Sequence, residues 1–205
     1  MYRDGWIDFN KNGQKDLYED PQASIDERIE DLLAQMTVEE KTAQLVTLYG
    51  YPFVMEDELP TEAWKQEVWK DGLANIDQHL TRRTEYSWPP SNHARAINET
   101  QRFFVEHTRL GIPIDFSVEG IHGLKYNWAT NFPEPLAIGA SWNPELARQI
   151  AQASGREAKA VGFSNVYSPI LDLARDPRWG RIRECYSEDP FLAGTMGVAT
   201  VEGLQ

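Results

Sequence analysis

The sequence is poor in cysteine, in basic residues and in long apolar runs, and each shortage excludes a class of function. Among 205 residues there is one cysteine, Cys185, which excludes an intrachain disulfide framework and a cysteine-based zinc site. Acidic residues outnumber basic ones by 32 to 20, and the net charge of −12 would repel a phosphate backbone. We therefore expect no nucleic-acid partner. No run of 18 or more apolar residues occurs, so we expect no membrane-spanning segment.

Two further signals are missing, an export signal and a phosphate-binding loop. The first ten residues, MYRDGWIDFN, lack the apolar stretch of a signal peptide. The sequence leaves the location unknown: we expect a periplasmic or secreted protein if a signal has been cleaved, and a cytoplasmic one otherwise. Neither G-x-G-x-x-G nor the P-loop pattern occurs, which disfavours dinucleotide and nucleotide binding.

The stretch DFNKNGQKDLYED, residues 8–20, has the oxygen-rich pattern of a calcium loop. It matches D-x-[DN]-x-[DN]-G-x5-E, in which the glycine permits a sharp turn and the final glutamate offers two oxygens. The predicted calcium ligands are the side chains of Asp8, Asn10, Asn12, Asp16 and Glu19 and the backbone carbonyl of Gln14. The alternative is a surface turn rich in Asn, Asp and Gly. No helix pair flanks the loop, so we expect a structural clip in an N-terminal extension, residues 1–22.

Beyond residue 22, the apolar pattern predicts short strands that alternate with helices. Ser24 with Glu27, and Thr37 with Glu40, have the spacing of capping boxes at two helix starts. The predicted helices cover residues 24–36, 38–47, 62–70, 92–110, 144–161 and 190–205. The predicted strands lie within residues 72–77, 111–118, 131–141 and 164–174, and irregular segments are predicted at 50–62 and 80–91. This alternation is typical of parallel βα units, which form either an open sheet or a barrel.

Polar side chains follow the predicted strands, where chemistry is placed in a barrel. These residues are Glu119, His122, Asp172, Arg175, Asp176, Arg178 and Arg181. A capping carboxylate with a packed histidine, and an exposed charged loop, are the structural alternatives. In RDPRWGRIRECYSED, residues 175–189, Trp179 lies between a proline and a glycine and suits a rigid pocket wall. Aromatic faces pack on sugar rings and charged groups hydrogen-bond hydroxyls, so the pattern favours a neutral polyhydroxylated ligand.

Four stretches resemble the N-terminal domain of glycoside hydrolase family 3, the β-glucosidase and β-xylosidase family. They are ERIEDLLAQMTVEEKTAQL, GIPIDFSVEGIHG, NFPEPLAIGASWNPEL and SPILDLARDPRWGRIRECYSEDPFLAG. The resemblance implies that residues 23–205 form the first half of a (β/α)8 TIM-type barrel, an α/β fold, behind the N-terminal calcium-loop extension. That extension resembles one found in some bacterial members.

The resemblance also assigns two sugar contacts. Glu119 takes the place of a carboxylate that binds the terminal sugar, where β-glucosidases usually carry Asp, and Arg181 takes the place of an arginine that binds the same sugar. The longer carboxylate leaves glucose or xylose open. The family's nucleophile and general acid lie in segments that this sequence does not contain, so no residue is assigned a catalytic role.

The implied function is that of the N-terminal portion of a retaining, exo-acting β-glycosidase. It would remove terminal non-reducing glucose or xylose from oligosaccharides or aryl β-glycosides. We expect the chain to supply half of the sugar pocket, to be inactive alone, and to need the rest of the barrel and a second domain as partners. Calcium would be structural, with no catalytic cofactor. The alternative is a non-catalytic, calcium-dependent carbohydrate-binding module, which the calcium loop and seven tryptophans would support.

Overall fold

The computed structural model describes residues 1–50, 55, 57–82 and 84–205. Its strands are β1 (Tyr2–Arg3), β2 (Trp6–Ile7), β3 (Thr47–Tyr49), β4 (Asn75–Asp77), β5 (Asp115–Glu119) and β6 (Asn165–Tyr167). Its helices are α1 (Ile25–Gln35), α2 (Val38–Ala43), α3 (Pro90–His107), α4 (Pro135–Gly139), α5 (Pro144–Val161) and α6 (Pro190–Leu204). Short 3-10 helices cover Leu17–Glu19, Ala63–Lys65, Val68–Asp71 and Ile182–Glu184. Residues 51–54, 56 and 83, within two segments predicted to be irregular, lie outside the described residues.

The chain divides into two compact units. The first unit comprises residues 1–77 and 95–115, and the second comprises residues 78–94 and 116–205. In the first unit β3 pairs with β4, and in the second β5 pairs with β6, in both cases parallel. The register pairs Thr47 with Asn75 and Tyr49 with Asp77, and it pairs Ser117 with Asn165 and Glu119 with Tyr167. Parallel strands separated by helices confirm the predicted α/β class.

The two predicted capping boxes are present at the starts of α1 and α2. The side chain of Ser24 accepts a hydrogen bond from the Glu27 amide (3.3 Å), and that of Thr37 accepts one from the Glu40 amide (3.2 Å). Helix α2 ends at Ala43, four residues earlier than predicted. The carbonyl of Ala43 accepts hydrogen bonds from Val46 and Ala74 instead, because the chain unwinds to enter β3.

Aromatic side chains form part of the core of the first unit. Trp64 and Trp69 stack with ring centroids 4.4 Å apart, and Phe103 meets Trp64 edge-on at 5.6 Å. The prediction of one helix over residues 62–70 is wrong, because two short 3-10 helices are present instead. Residues five positions apart lie about 140° apart around an α-helix, so the two indoles can stack only where the helix is broken.

Helices α5 and α6 pack closely in the second unit. A side chain on Gly203 would approach the Arg148 carbonyl to 2.4 Å, so glycine is required for this contact. A core cluster fills the space beside the helices; it contains Ile138, Ala147, Tyr186, Leu192, Met196 and Ala199. Asn143 caps α5 and Gly162 ends it at a φ of 100°, as predicted.

Two predicted strands are corrected by the structure. Residues 131–141 hold helix α4 rather than a strand, and its buried residues Pro135, Ile138 and Gly139 follow the i, i+3, i+4 spacing of one helix face. The apolar run within residues 164–174 predicts a buried strand, but β6 has only three residues and is half-buried to exposed. Among the described residues, β6 pairs only with β5, and no strand pairs with its other edge.

Strand β5 is buried and leads directly to the candidate site. Phe116, Ser117 and Val118 are buried, and the Phe116 amide donates to the hydroxyl of Ser164 (2.9 Å). On the other side, the Gln78 amide donates to the Ser117 carbonyl (2.7 Å). These contacts hold the end of β5, where Glu119 lies. Within the described residues, no helix combines the length and apolar character that crossing a membrane requires.

Candidate functional site

A cavity of about 330 Å³ lies at the carboxyl end of β5 in the second unit. Glu119 is the last residue of β5, and Arg181 lies in the segment between β6 and α6. Both residues line the cavity, so the structure brings together the two side chains that the sequence nominated for sugar contact. The other lining residues are Ile121, His122, Gly123, Leu124, Lys125, Asn131 and Glu184.

The loop after β5 is folded back on itself by backbone hydrogen bonds. The Lys125 amide donates to the Glu119 carbonyl (2.8 Å), and the Phe132 amide donates to the His122 carbonyl (2.8 Å). Gly123 has a φ of 97°, and a side chain there would lie 2.1 Å from the Thr130 carbonyl oxygen. Only glycine fits this position, because the left-handed conformation and the close approach both exclude a Cβ. The loop therefore holds Glu119 and His122 at a defined wall of the cavity.

Arg181 is held by a carboxylate that sequence reasoning missed. Its Nε and Nη2 lie 2.8 and 2.6 Å from the same oxygen of Glu184. Arg181 precedes the short 3-10 helix Ile182–Glu184, and residues three positions apart lie on the same side of such a helix. Hydrogen bonding to Glu184 raises the pKa of Arg181, and the nearby charges of Glu119 and Asp172 raise it further. The R-x-x-E spacing is the signal in the sequence that could have indicated Glu184.

A further carboxylate lies behind the lining residue His122, outside the set that lines the cavity. Glu134 has one oxygen 3.9 Å from His122 Nε2 and 3.9 Å from Arg183 Nη1. His122 Nδ1 is buried and has no hydrogen-bond partner among the described residues. The cavity thus combines carboxylates, a guanidinium and an imidazole, which suits recognition of several hydroxyl groups in fixed positions.

The remaining strand-end residues are not brought to this cavity. Arg178 forms an exposed ion pair with Asp176 at 2.6 Å, and Arg175 donates to the Glu188 carbonyl at 3.4 Å. Asp172 is exposed and does not line the cavity, although its charge helps to raise the pKa of Arg181. Trp179, which the sequence suggested as a pocket wall, is half-buried and does not line the cavity. The charged loop therefore divides into a part at the cavity and a part on the surface.

The oxygen-rich N-terminal loop belongs to the first unit and is tied together by its own polar groups. The side-chain amides of Asn10 and Asn12 both donate to one oxygen of Asp16, at 2.6 and 2.7 Å. Glu19 is buried and accepts hydrogen bonds from the backbone amides of residues 9, 10 and 16, at 2.6, 3.3 and 3.0 Å. Gly13 has a φ of 81°, as expected for the sharp turn.

Several features of this loop fit a hard cation. Asp8 is 2% exposed, and its Oδ1 has no hydrogen-bond partner among the described residues. The side-chain oxygens of Asn10 and Asn12 accept hydrogen bonds from the backbone amides of Asn12 and Gln14 (3.1 and 2.7 Å), so a bound cation would have to replace these bonds. The potential donors of the loop are all oxygens, the kind that calcium prefers. As the loop is arranged here, no group of three or more His, Cys, Asp or Glu side chains in the described part of the chain is placed to hold a metal ion. Gln14 lies next to Gly13, and its amide donates to the side chain of Asn12 (2.7 Å).

Residues 37–205 match the family model described as the glycosyl hydrolase family 3 N-terminal domain. The chain is 30% identical over 199 residues to a β-glucosidase C from Emericella nidulans, covering 92% of this chain and 31% of that protein. It is 46% identical over 103 residues to a β-xylosidase from Formosa agariphila, covering 47% of this chain and 14% of that protein. The chain thus spans less than a third of the length of these two curated relatives.

Solved structures show the same fold. The β-glucosidase EmGH1 from Erythrobacter marinus superposes with a TM-score of 0.78 at 31% identity, covering 93% of this chain and 24% of that one. A D270A mutant of a β-glucosidase from Listeria innocua, solved in complex with laminaribiose, gives a TM-score of 0.69 at 34% identity. That match covers 88% of this chain and 24% of the other.

Proposed function

The chain belongs to glycosyl hydrolase family 3, and we propose that it forms the N-terminal part of an exo-acting β-glycosidase. The proposed reaction is the release of one terminal, non-reducing, β-linked glucose or xylose from an oligosaccharide or aryl β-glycoside. The observation that carries this proposal is the convergence of Glu119 and Arg181 on one cavity at the strand ends. Relatives named as β-glucosidase and β-xylosidase support the same class of substrate.

The two residues are proposed to grip hydroxyls of the terminal sugar. A carboxylate accepts hydrogen bonds, whereas a guanidinium donates them, so the pair can engage neighbouring hydroxyls in opposite senses. Glu184 occupies one side of the Arg181 guanidinium and sets its orientation. Charge-assisted hydrogen bonds to hydroxyls contribute about 1.5–3 kcal/mol each, and bonds of this kind strengthen towards an oxocarbenium-like transition state.

Retaining hydrolysis needs a nucleophilic carboxylate and an acid/base group in addition to a sugar pocket. We assign neither role to Glu119 or Glu184, because Glu184 is engaged by Arg181 and Glu119 is proposed to contact the sugar. We propose that the nucleophile and the acid/base come from parts of the full-length enzyme outside these 205 residues. These parts and the second domain would complete the barrel and the pocket.

The test is product analysis with the full-length enzyme. We expect β-linked oligosaccharides to lose one sugar at a time from the non-reducing end, with the β-anomer as the first product observed by NMR. Aryl β-glucoside and aryl β-xyloside assayed in parallel would identify the preferred sugar. Cleavage within the chain, release of the α-anomer first, or no hydrolysis of either sugar would contradict the proposal.

We also propose that the loop of residues 8–19 binds one structural calcium ion. The side chains of Asp8, Asn10, Asn12, Asp16 and Glu19 and the carbonyl of Gln14 would hold the ion. What supports the proposal is the buried, unpartnered Oδ1 of Asp8 within an all-oxygen donor set. The ion would tighten a segment already attached to its own unit, where Lys11 Nζ donates to the Thr108 carbonyl and Tyr18 donates to the Leu110 carbonyl (3.4 Å). It would take no part in bond cleavage.

A further inference from the structure

Two tryptophans from different loops of the second unit pack against each other at the surface. Trp88 precedes α3 and Trp128 lies in the loop after β5, with ring centroids 4.2 Å apart and planes inclined by 36°. Trp88 is 52% exposed, and Trp128 is half-buried. Exposed aromatic surface is typical of a ligand-binding surface. We call this pair the aromatic platform.

The aromatic platform is held in place by hydrogen bonds between its two loops. The Tyr126 hydroxyl donates to the Ser87 carbonyl (2.5 Å), and the Asn127 amide donates to the Thr81 carbonyl (3.3 Å). At the start of α3, the side chain of Asn92 donates to the Trp88 carbonyl (3.1 Å). Because both loops are braced, little conformational freedom remains to be lost when a ligand packs on the indoles.

A short stretch of chain connects the platform to the proposed sugar cavity. Trp128 is three residues from Lys125 and three residues from Asn131, and both of these residues line the cavity. Three residues of extended chain span at most about 11 Å, so the platform begins within roughly two sugar rings of the cavity wall. Lys125 and Asn131 are exposed, and their polar ends can hydrogen-bond the hydroxyls of a ring that lies between the cavity and the platform.

We propose that the aromatic platform binds a pyranose ring on the leaving-group side of the bond to be cleaved. The inference rests on the proposed function: if the terminal ring contacts Glu119 and Arg181, every other ring of the substrate lies on the leaving-group side. The second or third ring would present its C–H face to Trp88. The platform thereby identifies the preferred substrate class as oligosaccharides of at least two or three rings rather than single-ring glycosides.

The test uses the full-length enzyme with Trp88→Ala, Trp88→Tyr and the control Trp142→Ala. Trp142 is also exposed, at 73%, but lies between α4 and α5. We expect Trp88→Ala to lower kcat/KM for β-linked trisaccharides and tetrasaccharides by about 5- to 30-fold, mainly through KM. Hydrolysis of a methyl β-glycoside should change less than about twofold. Trp88→Tyr should restore most of the loss, since it keeps an aromatic face, and Trp142→Ala should have no effect.

Calorimetric titration of each variant with trisaccharide gives a readout that does not depend on turnover. Weaker trisaccharide binding in Trp88→Ala, with unchanged binding of the monosaccharide, would support the platform even if no glycoside is hydrolysed and the proposed function fails. Equal losses for single-ring and multi-ring substrates would overturn the inference. So would unchanged oligosaccharide kinetics and binding in Trp88→Ala.

Discussion

Arg181 directs two guanidinium nitrogens to a single oxygen of Glu184, at 2.8 and 2.6 Å. The Glu184 side chain is 13% exposed, whereas that of Arg181 is 55% exposed, so a largely buried carboxylate orients a largely accessible cation. This contact leaves further N–H donors of the guanidinium for a ligand. We therefore propose different roles for the two residues: Arg181 contacts the sugar, and Glu184 orients Arg181.

The first prediction concerns the sugar contacts. Glu119→Ala or Arg181→Ala in the full-length enzyme should lower kcat/KM for an aryl β-glycoside by roughly 10- to 200-fold, because each removes a charge-assisted hydrogen bond. Arg181→Lys should recover little activity, since an ammonium lacks the planar fork. Steady-state kinetics with a thermal melt as the folding control would check this. Wild-type kinetics in correctly folded Glu119→Ala would show that Glu119 does not contact the sugar.

The second prediction concerns Glu184 as a positioning residue. Glu184→Gln keeps the shape but removes the charge, so Arg181 should be held less firmly and kcat/KM should fall by about 3- to 20-fold. The matched control is Asp176→Asn, which alters the exposed ion pair of Asp176 with Arg178 in the same loop. That control should leave the kinetics unchanged, because exposed pairs contribute little.

A merely structural role for Glu184 can be separated from positioning by a double variant. If Glu184 acts through Arg181, adding Glu184→Gln to Arg181→Ala should cost little further activity. Additive losses in that double variant would contradict the positioning role.

The third prediction concerns calcium. Removal of calcium with a chelator should lower the melting temperature, and calcium at about 100 times its Kd should add about 2.7 kcal/mol to the free energy of unfolding. Asp16→Asn should abolish this calcium-dependent shift, because a carboxylate ligand is lost. Asp4→Asn, an exposed change in the same N-terminal segment, should leave the shift intact.

Activity provides an independent check of the calcium proposal. Since the ion is proposed as a clip, KM for the sugar substrate should change little when the ion is removed below the melting temperature. A melting curve that is insensitive to both chelator and added calcium would rule out the ion.

The fourth prediction concerns acid stability. Burial lowers the pKa of His79 to about 3, and the neighbouring His93 contributes to the lowering. A histidine in the unfolded chain titrates near pH 6.5. Above that pH, His79 is neutral in both the folded and the unfolded chain, so it does not reduce the free energy of unfolding. As the pH falls from about 6.5 towards 3, the unfolded chain binds a proton that the folded chain does not. The free energy of unfolding should then drop by about 1.4 kcal/mol per pH unit.

Hydrogen exchange near His79 would measure this effect locally. Protection factors of the Gln78 and Phe116 amides, which are hydrogen-bonded in the structure, should fall by about tenfold per pH unit below pH 6. His79→Leu should reduce this dependence, with the remainder coming from His93, whose pKa burial also lowers. The exposed His107→Gln should leave it unchanged. A steep pH dependence that survives in His79→Leu would assign the effect to another group.

Features set by neighbours in the chain could be predicted without a structure. Ser24 and Thr37 cap their helices because the capping box needs only residues three positions apart, and Pro144 and Gly162 bound α5 for equally local reasons. The strand that ends at Glu119 could also be predicted, because a short apolar run that follows Gly and Pro is typical of a buried strand. The four motif stretches identified the family, which the match over residues 37–205 confirms.

Features set by distant contacts required the folded chain. Helix α4 has only five residues, which is too short for its period to be read, and its face is defined by burial of Ile138 in the cluster around Met196. The break near Trp64 exists because that indole stacks on Trp69 and meets Phe103 from α3. Hydrophobic burial acts between surfaces that sequence distance does not reveal, so local propensity gives way wherever such contacts compete with it.

The candidate site also has features that the sequence predicts and features that depend on the fold. Its side-chain types are written in the sequence, and their chemistry already indicates a neutral, hydroxyl-rich ligand. Whether Glu119 and Arg181 face one cavity depends on the parallel pairing of β5 with β6, which places both strand ends on the same side. The role of Glu184 and the exposure of the Trp88–Trp128 pair depend on the same folding, because orientation and access to solvent exist only once the loops are packed.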